Sequence, residues 1–249
     1  MKIYYVDSIN GNDNNDGLTK ETAYKSLKGL NSSSECHVFI LLNDITCDSA
    51  VLDLYTRYST PTIFIGAKTD VAFKLTGTCL ITERCSQEDF LLFFNLTFKC
   101  DEDVRIYFND EQYHFVYFYN CIIDTVVEGS YNNKYGGKLR FCNNLFLNHV
   151  TFAKSTPTFK QNIVSDNCSV TVDSATDLSS NVPYSEKNLS LLKDYTNIRN
   201  DISHYGNIDV LHIYKNLLIS SIIKRKVKEA ILTNQKIIKH VSGFEMEQQ

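Results

Sequence analysis

The chain has no tryptophan, three prolines, two methionines and ten glycines in 249 residues. So little proline and glycine excludes a collagen-like or linker-rich chain. No stretch approaches eighteen consecutive apolar residues, so no transmembrane helix and no membrane partner is expected. No Walker loop and no dinucleotide fingerprint occurs. Eight cysteines are present (Cys36, Cys47, Cys79, Cys85, Cys100, Cys121, Cys142 and Cys168), but none forms a Cys-x-x-Cys pair. A zinc site is therefore not expected, and neither is any other metal or cofactor. Several of these cysteines sit inside apolar strand patterns, as in Phe118-Tyr119-Asn120-Cys121-Ile122-Ile123. That placement points to free buried thiols and a reducing folding compartment rather than a disulfide framework. The six histidines are scattered, and none pairs with Ser or Cys at catalytic spacing. A formal charge of −4 gives no sign of a nucleic-acid partner.

What is present is β-structure. Phe, Tyr, Ile, Val and Thr are abundant, and 43% of the residues are hydrophobic. Short apolar segments end at Asn, Asp, Gly or Ser clusters: His37–Leu42, Thr62–Ile65, Val71–Leu75, Phe90–Phe94, Val104–Phe108, Phe115–Tyr119, Leu145–Leu147 and Val170–Val172. Nothing between Val38 and Val172 reads as a long helix.

The segments repeat. Asn95, Asn120 and Asn143 each precede a short apolar run at spacings of 25 and 23 residues, and Asn162 extends the series 19 residues later. Such a period fits one turn of a solenoid, and about six coils fit between Phe39 and Val172. An Asn stacked at the same turn of successive coils bonds both the turn backbone and its neighbour, so a ladder at Asn95, Asn120 and Asn143 is expected. A competing register is set by Cys79, Cys100, Cys121 and Cys142, spaced by 21 residues each. Whole motifs align only in the Asn register, which is therefore preferred.

The first thirty residues carry the most specific pattern. Tyr4-Tyr5-Val6-Asp7 is a short strand, Asn10 to Gly17 is a polar loop of residues that tolerate left-handed backbone, and Glu21-Thr22-Ala23-Tyr24-Lys25-Ser26-Leu27 starts an amphipathic helix. This block resembles the opening of right-handed parallel β-helix proteins of the pectate-lyase-like superfamily. Ile198-Arg199-Asn200-Asp201-Ile202-Ser203-His204-Tyr205-Gly206 is similar to the Arg-x-Asp-Ile-Gly-Ala-Tyr motif that closes such proteins, with Ser203-His204 where Gly-Ala is usual. The resemblance implies an all-β chain: a right-handed parallel β-helix solenoid over 36–206, an N-terminal cap over 1–35 with a helix at Tyr24–Leu30 covering the first sheet edge, and a C-terminal α-helical segment over 207–249. A solenoid end needs such a cover, because an open edge invites aggregation.

That last segment differs in charge. Val210 to Gln249 holds seven Lys/Arg and three Asp/Glu, a net +4, so the remainder carries −8. Leu211, Tyr214, Leu218 and Ile222, then Val227, Ile231, Asn234, Ile238 and Val241, recur at helical steps, with Lys224-Arg225-Lys226-Val227-Lys228 as a basic cluster. Two roles are open at this point. The segment packs along the solenoid, or it mediates assembly.

For chemistry, the resemblance implies paired carboxylates for glycan hydrolysis, or Asp clusters binding calcium with an Arg or Lys base for lyase action. The catalytic candidates are Asp101, Asp103 and Asp124, with Glu102, Arg105, Asp110, Glu111 and Glu128 nearby. Runs of carboxylates at turns are more often solvated capping residues. No Asp-x-Asp-Asp signature occurs, and the Asn12–Gly17 loop lacks the acidic twelfth residue of an EF-hand, because Ala23 stands there. Tyr113, Tyr131 and Tyr135 flank polar loops as candidate glycan platforms. The resemblance, together with the lack of room for a signal peptide and a solenoid short for an enzyme of this fold, implies a phage virion structural protein, a tail or head appendage made in the host cytoplasm. Its expected partners are other virion proteins or further copies of itself, a trimer foremost, and a host-surface glycan. The alternatives are a polysaccharide depolymerase or lyase acting on host capsule, and a non-enzymatic glycan-binding module.

Overall fold

The computed structural model describes residues 2–27, 37–48, 62–67, 71–76, 80–81, 90–100, 104–108, 115–129, 138–152, 157–165, 168–172 and 176–183. Among these residues the chain is all-β, with nineteen short strands in three parallel sheets. The first sheet orders Lys2–Val6, His37–Leu41, Thr62–Gly66, Leu91–Phe94, Phe115–Tyr119, Lys138–Cys142 and Thr158–Lys160. The second runs from Ile45–Asp48 through Ala72–Thr76, Thr97–Cys100, Ile122–Asp124, Leu145–Phe146 and Ile163–Val164 to Val182–Pro183. The third stacks Leu80–Ile81, Ile106–Phe108, Val127–Gly129, Val150–Phe152 and Val170–Thr171. Each strand pairs in parallel with the equivalent strand of the next coil, which is the arrangement of a β-solenoid.

Register explains why these residues form these strands. In the first sheet Tyr4, Phe39, Phe64, Phe93, Phe118, Phe141 and Phe159 fall directly over one another. Their rings stack with centroids 4.9–5.8 Å apart. In the second sheet Phe73, Phe98, Ile123, Phe146 and Val164 form the matching interior row. In the third, Ile106, Val127, Val150 and Val170 do the same. Alternation along each strand fixes which side chains enter this core, and a slip of one residue would turn the whole aromatic row outward. Gly129 sits where an added Cβ would lie 2.7 Å from the Phe108 carbonyl oxygen. Its missing side chain lets the Phe108 and Phe152 rings approach to 6.0 Å across two coils.

The bend between the first and second sheets is set by left-handed residues. Asn95, Asn120, Asn143 and Gln161 have φ of 58°, 55°, 57° and 54°. Asn adopts this region more readily than most residues, which accounts for its recurrence there. Asn95 Nδ2 donates to the Gly66 carbonyl at 2.9 Å, and Asn120 Nδ2 donates to Asn95 Oδ1 at 3.1 Å. From Asn143 onward the longer ladder moves one residue along. Asn144 Nδ2 donates to Asn162 Oδ1 (3.1 Å), and Asn162 Nδ2 donates to Asn181 Oδ1 (2.7 Å). The same amides donate to the Phe118, Phe141 and Phe159 carbonyls at 2.8–3.0 Å. The Cys register does not describe the stack, since Cys142 pairs with Tyr119 while the Cys121 N–H donates to Asn144 Oδ1. Steps between stacked phenylalanines are 25, 29, 25, 23 and 18 residues, so no single period holds.

At the N-terminal end the polar loop itself supplies backbone partners to the first strand. No described residue is α-helical; Glu21–Ser26 runs as turn, bridge and bend, and Leu27 enters a 3-10 turn. Residues 28–30 of the expected cap helix, and the whole C-terminal helical segment over 207–249, lie outside the described residues. The outer edge of Lys2–Val6 is paired by the loop. Tyr5 N–H donates to the Gly17 carbonyl (2.7 Å), Tyr24 N–H to the Tyr5 carbonyl (2.9 Å), and Asp7 N–H to the Tyr24 carbonyl (2.8 Å). Gly17 has φ 69°, and a Cβ there would run into the Tyr24 ring. The Tyr24 ring in turn lies 5.9 Å from Tyr4, the first ring of the interior stack. The edge is thus satisfied by backbone bonds, and a helix is not needed for it.

Asp7 anchors this cap. Its carboxylate accepts from the Ile9 and Asn10 N–H groups (both 2.9 Å), Asn43 Nδ2 (2.8 Å) and Asn10 Nδ2 (3.1 Å). Burial alone would raise its pKa, but the bonds from Asn10, Ile9 and Asn43 outweigh this and hold it below the ordinary 3.8. A depressed folded-state pKa contributes stability above the unfolded value, and that stability is lost as pH falls through the folded one. Denaturation midpoints measured from about pH 6 downward should therefore fall below roughly pH 4 in the native chain, and less so in Asp7→Asn. An identical acid limb in both proteins would remove Asp7 as its source.

Candidate functional site

Most of the sequence-predicted chemistry falls outside the described residues. That is the case for Asp101, Asp103, Glu102, Asp110 and Glu111, and for all three tyrosines, Tyr113, Tyr131 and Tyr135. Asp124 is described. It ends the Ile122–Asp124 strand, is exposed, and lies in register beside Lys99, which in turn lies beside Lys74. Arg105 Nη1 donates to Glu128 Oε2 at 2.8 Å, a surface ion pair one coil apart. Asp124 and Glu128 belong to different sheets on either side of the Thr125–Val126 corner. Among the described residues, then, Asp124 faces a lysine row and Glu128 an arginine, and no pair of carboxylates shares a site.

Two features were not legible in the sequence. His149 and Ser169 are brought together by one turn of the solenoid, with His149 Nδ1 2.9 Å from Ser169 Oγ. The Ser169 N–H also donates to Nδ1 at 3.2 Å, so that nitrogen is an acceptor and the ring proton sits on Nε2. Sequence proximity misses this pair, because 20 residues separate its members; the coil length is the signal that finds it. A catalytic Ser–His pair needs the histidine oriented by a third group and a donor pair for an oxyanion. Here Nδ1 is shared between the hydroxyl and its own backbone N–H on an exposed corner, which makes the pair a clasp between successive turns. Beside it, the Cys168 thiol donates to the Asn148 carbonyl. Burial pushes that thiol up to about 11, which leaves it protonated and a poor nucleophile at neutral pH.

The second feature is a cavity of about 360 Å³ at the C-terminal end of the described stack. Its walls are the last members of the interior rows, among them Phe146, Phe159, Val164, Val170 and Pro183, with the Asn162 and Asn181 amides on one side. It lies at the last described coil, where the interior rows end among the described residues. Its Asn162 and Asn181 amides are engaged in the ladder, and its surface is mostly apolar. It suits the next layer of a stack better than a polar ligand.

No group of three or more His, Cys, Asp or Glu side chains with metal-binding geometry occurs among the described residues. Cys121 and Cys142 are fully buried, and burial pushes both thiols up to about 12. Cys100, Cys121, Cys142 and Cys168 are free. No protein-family model matches the chain, and no curated protein and no solved structure matches it either.

Proposed function

We propose that this chain is a structural solenoid: the β-helical body of a phage virion appendage that assembles with copies of itself, a trimer foremost, or with other virion proteins, and that meets a host-surface glycan. The observation that carries the structural reading is the unbroken aromatic row from Tyr4 to Phe159, flanked by the Asn ladder. Described polar side chains such as Asp7, Asn95, Asn120, Asn144, Asn162 and Asn181 bond the chain's own backbone or one another. Such a stack is a stiff rod whose coils each depend on their neighbours. A right-handed winding of the pectate-lyase-like kind is supported by the general handedness of parallel β-crossovers and by the boundary motifs at Met1–Leu30 and Ile198–Gly206. The virion assignment rests on that resemblance.

Two measurements test the reading. Light scattering of the full chain should give a homo-oligomer. Particles banded on a density gradient from a lysate of the producing host should carry the chain at fixed stoichiometry. A chain that stays monomeric and remains in the soluble fraction would overturn the proposal. Loss of viscosity of a host capsule extract, abolished by Asp124→Asn, would replace it with the depolymerase reading; general acid–base loss costs about 10²–10⁴-fold in rate.

A further inference from the structure

The cap loop holds both of the chain's succinimide-forming pairs. Asn10-Gly11 is its one Asn-Gly sequence, and Asp16-Gly17 is its one Asp-Gly sequence. In such pairs the side-chain carbonyl carbon can meet the next backbone nitrogen, and glycine puts no side chain in the way. The fold itself requires both glycines. A Cβ on Gly11 would run into the Tyr24 carbonyl, and one on Gly17 would run into the Tyr24 ring. The packing of Tyr24 therefore builds the susceptible sequences into the cap.

The Asn10 pair is also held back. The Gly11 N–H donates to the Asp7 carbonyl at 2.8 Å. Asn10 Nδ2 donates to Asp7 Oδ2 at 3.1 Å, and the Asn10 N–H donates to Asp7 Oδ1 at 2.9 Å. Asn43 Nδ2 fixes the same carboxylate at 2.8 Å. Ring closure needs the Gly11 nitrogen freed of its proton and the Asn10 amide turned on to it. Both groups are tied to Asp7, so the reaction waits on opening of this turn. Opening a surface loop costs far less than global unfolding. Asn10 is exposed, so water reaches it.

We propose that Asn10 is a self-modification site guarded by Asp7. When the turn opens, the Gly11 nitrogen attacks Asn10 Cγ. A Gly11 N–Cγ bond forms, the Cγ–Nδ2 bond breaks, and Nδ2 leaves as ammonia with the Gly11 proton. Water then opens the succinimide at one of its two carbonyls, leaving aspartate or isoaspartate at position 10. Water is the only co-reactant, and nothing is oxidised or reduced. The product does not fit the native turn. A carboxylate replaces the amide donor beside Asp7, and like charges so close repel. Isoaspartate also adds a methylene to the backbone before Gly11, which moves the Gly11 N–H off the Asp7 carbonyl. The same loop pairs the outer edge of Lys2–Val6 through Gly17 and Tyr24, so each conversion loosens the cover of that edge.

The test is incubation of the full-length protein at mildly alkaline pH, with conversion at position 10 read by peptide mass spectrometry. The same chain unfolded in guanidinium chloride gives the unguarded rate. The native chain should convert at least about tenfold more slowly, and Asp7→Ala should remove most of that difference. Isomerisation at Asp16 is the internal control. That pair is held by other bonds, from the Gly17 N–H to the Thr22 carbonyl (2.9 Å) and from Thr22 Oγ1 to Asp16 Oδ1 (2.7 Å). A rise at Asn10 alone upholds the proposal. Equal rates in the native and unfolded chains would overturn it, as would no conversion in the unfolded chain or an unchanged rate in Asp7→Ala. If Asp7→Ala raises both sites by unfolding the loop, Asp7→Asn decides. That variant keeps an oxygen for the two backbone N–H groups and loses the acceptor of the Asn10 amide. A selective rise at Asn10 upholds the proposal, and an equal rise at both sites, or none, rejects it.

Discussion

Phe118→Ala should lower stability by about 3–5 kcal/mol, the range for removing a fully buried ring that the surroundings cannot refill. Phe118 is 0% exposed. It stacks on Phe93 at 5.0 Å and on Phe141 at 4.9 Å, and meets the Phe98 ring edge-on at 5.2 Å. It therefore joins three coils through two rings and ties the first sheet to the second. In a solenoid, where each coil contacts only its neighbours, a cavity in the middle weakens two interfaces at once. For a chain of this size the loss corresponds to a fall in Tm of about 10 °C. Phe159→Ala, in the last described strand of the first sheet and stacked on Phe141 alone in that row, should cost less. Denaturant titration of the three proteins checks this. A loss below about 1 kcal/mol at Phe118 would mean that the row packs loosely and that the coils are held mainly by their backbone ladders.

The second large effect is expected at Asn162. Its Oδ1 accepts from the Asn144 N–H (2.9 Å) and from Asn144 Nδ2 (3.1 Å), and its Nδ2 donates to the Phe141 carbonyl (2.8 Å) and to Asn181 Oδ1 (2.7 Å). Every one of these bonds crosses between coils, and Asn162 is 0% exposed. Asn162→Ala strips partners from a buried N–H and a buried carbonyl, each loss costing about 1–3 kcal/mol. A total near 3 kcal/mol is expected, with Asn162→Asp little better, because a carboxylate cannot supply the two donated bonds. Asn120→Ala should cost less. Asn120 Nδ2 makes the single bond to Asn95 Oδ1, and Asn120 Oδ1 has no partner. Equal losses at Asn120 and Asn162 would place the ladder's strength in the left-handed turn rather than in the amide bonds.

The turn chemistry was readable because it is local. A left-handed residue at each bend favours Asn, so Asn95, Asn120 and Asn143 show in the sequence without any knowledge of packing. The shift of the longer ladder to Asn144, Asn162 and Asn181 was not readable. It depends on which of two adjacent amides faces the neighbouring coil. The aromatic row left a signal that a search for Asn alone passes over: Phe93, Phe118, Phe141 and Phe159 each stand two residues before the left-handed residue of their turn. The pairing of His149 with Ser169 shows only through the coil length, because neither residue type repeats at that corner.

The sequence by itself determined that the chain is β-rich, that short strands end at polar turns, and that those turns recur once per coil. Each follows from backbone preference and from alternation within a few residues. Tertiary structure decided what depends on distant partners. It set the register that stacks seven rings, because cross-strand packing and not the strand itself selects among possible offsets. It paired the outer edge of the first strand with Gly17 and Tyr24, because the loop's own N–H and C=O groups reach that strand. It also revealed that the first sheet is buried on both sides. Alternating apolar residues show that a strand has two apolar faces, but only the folded chain shows that both are covered.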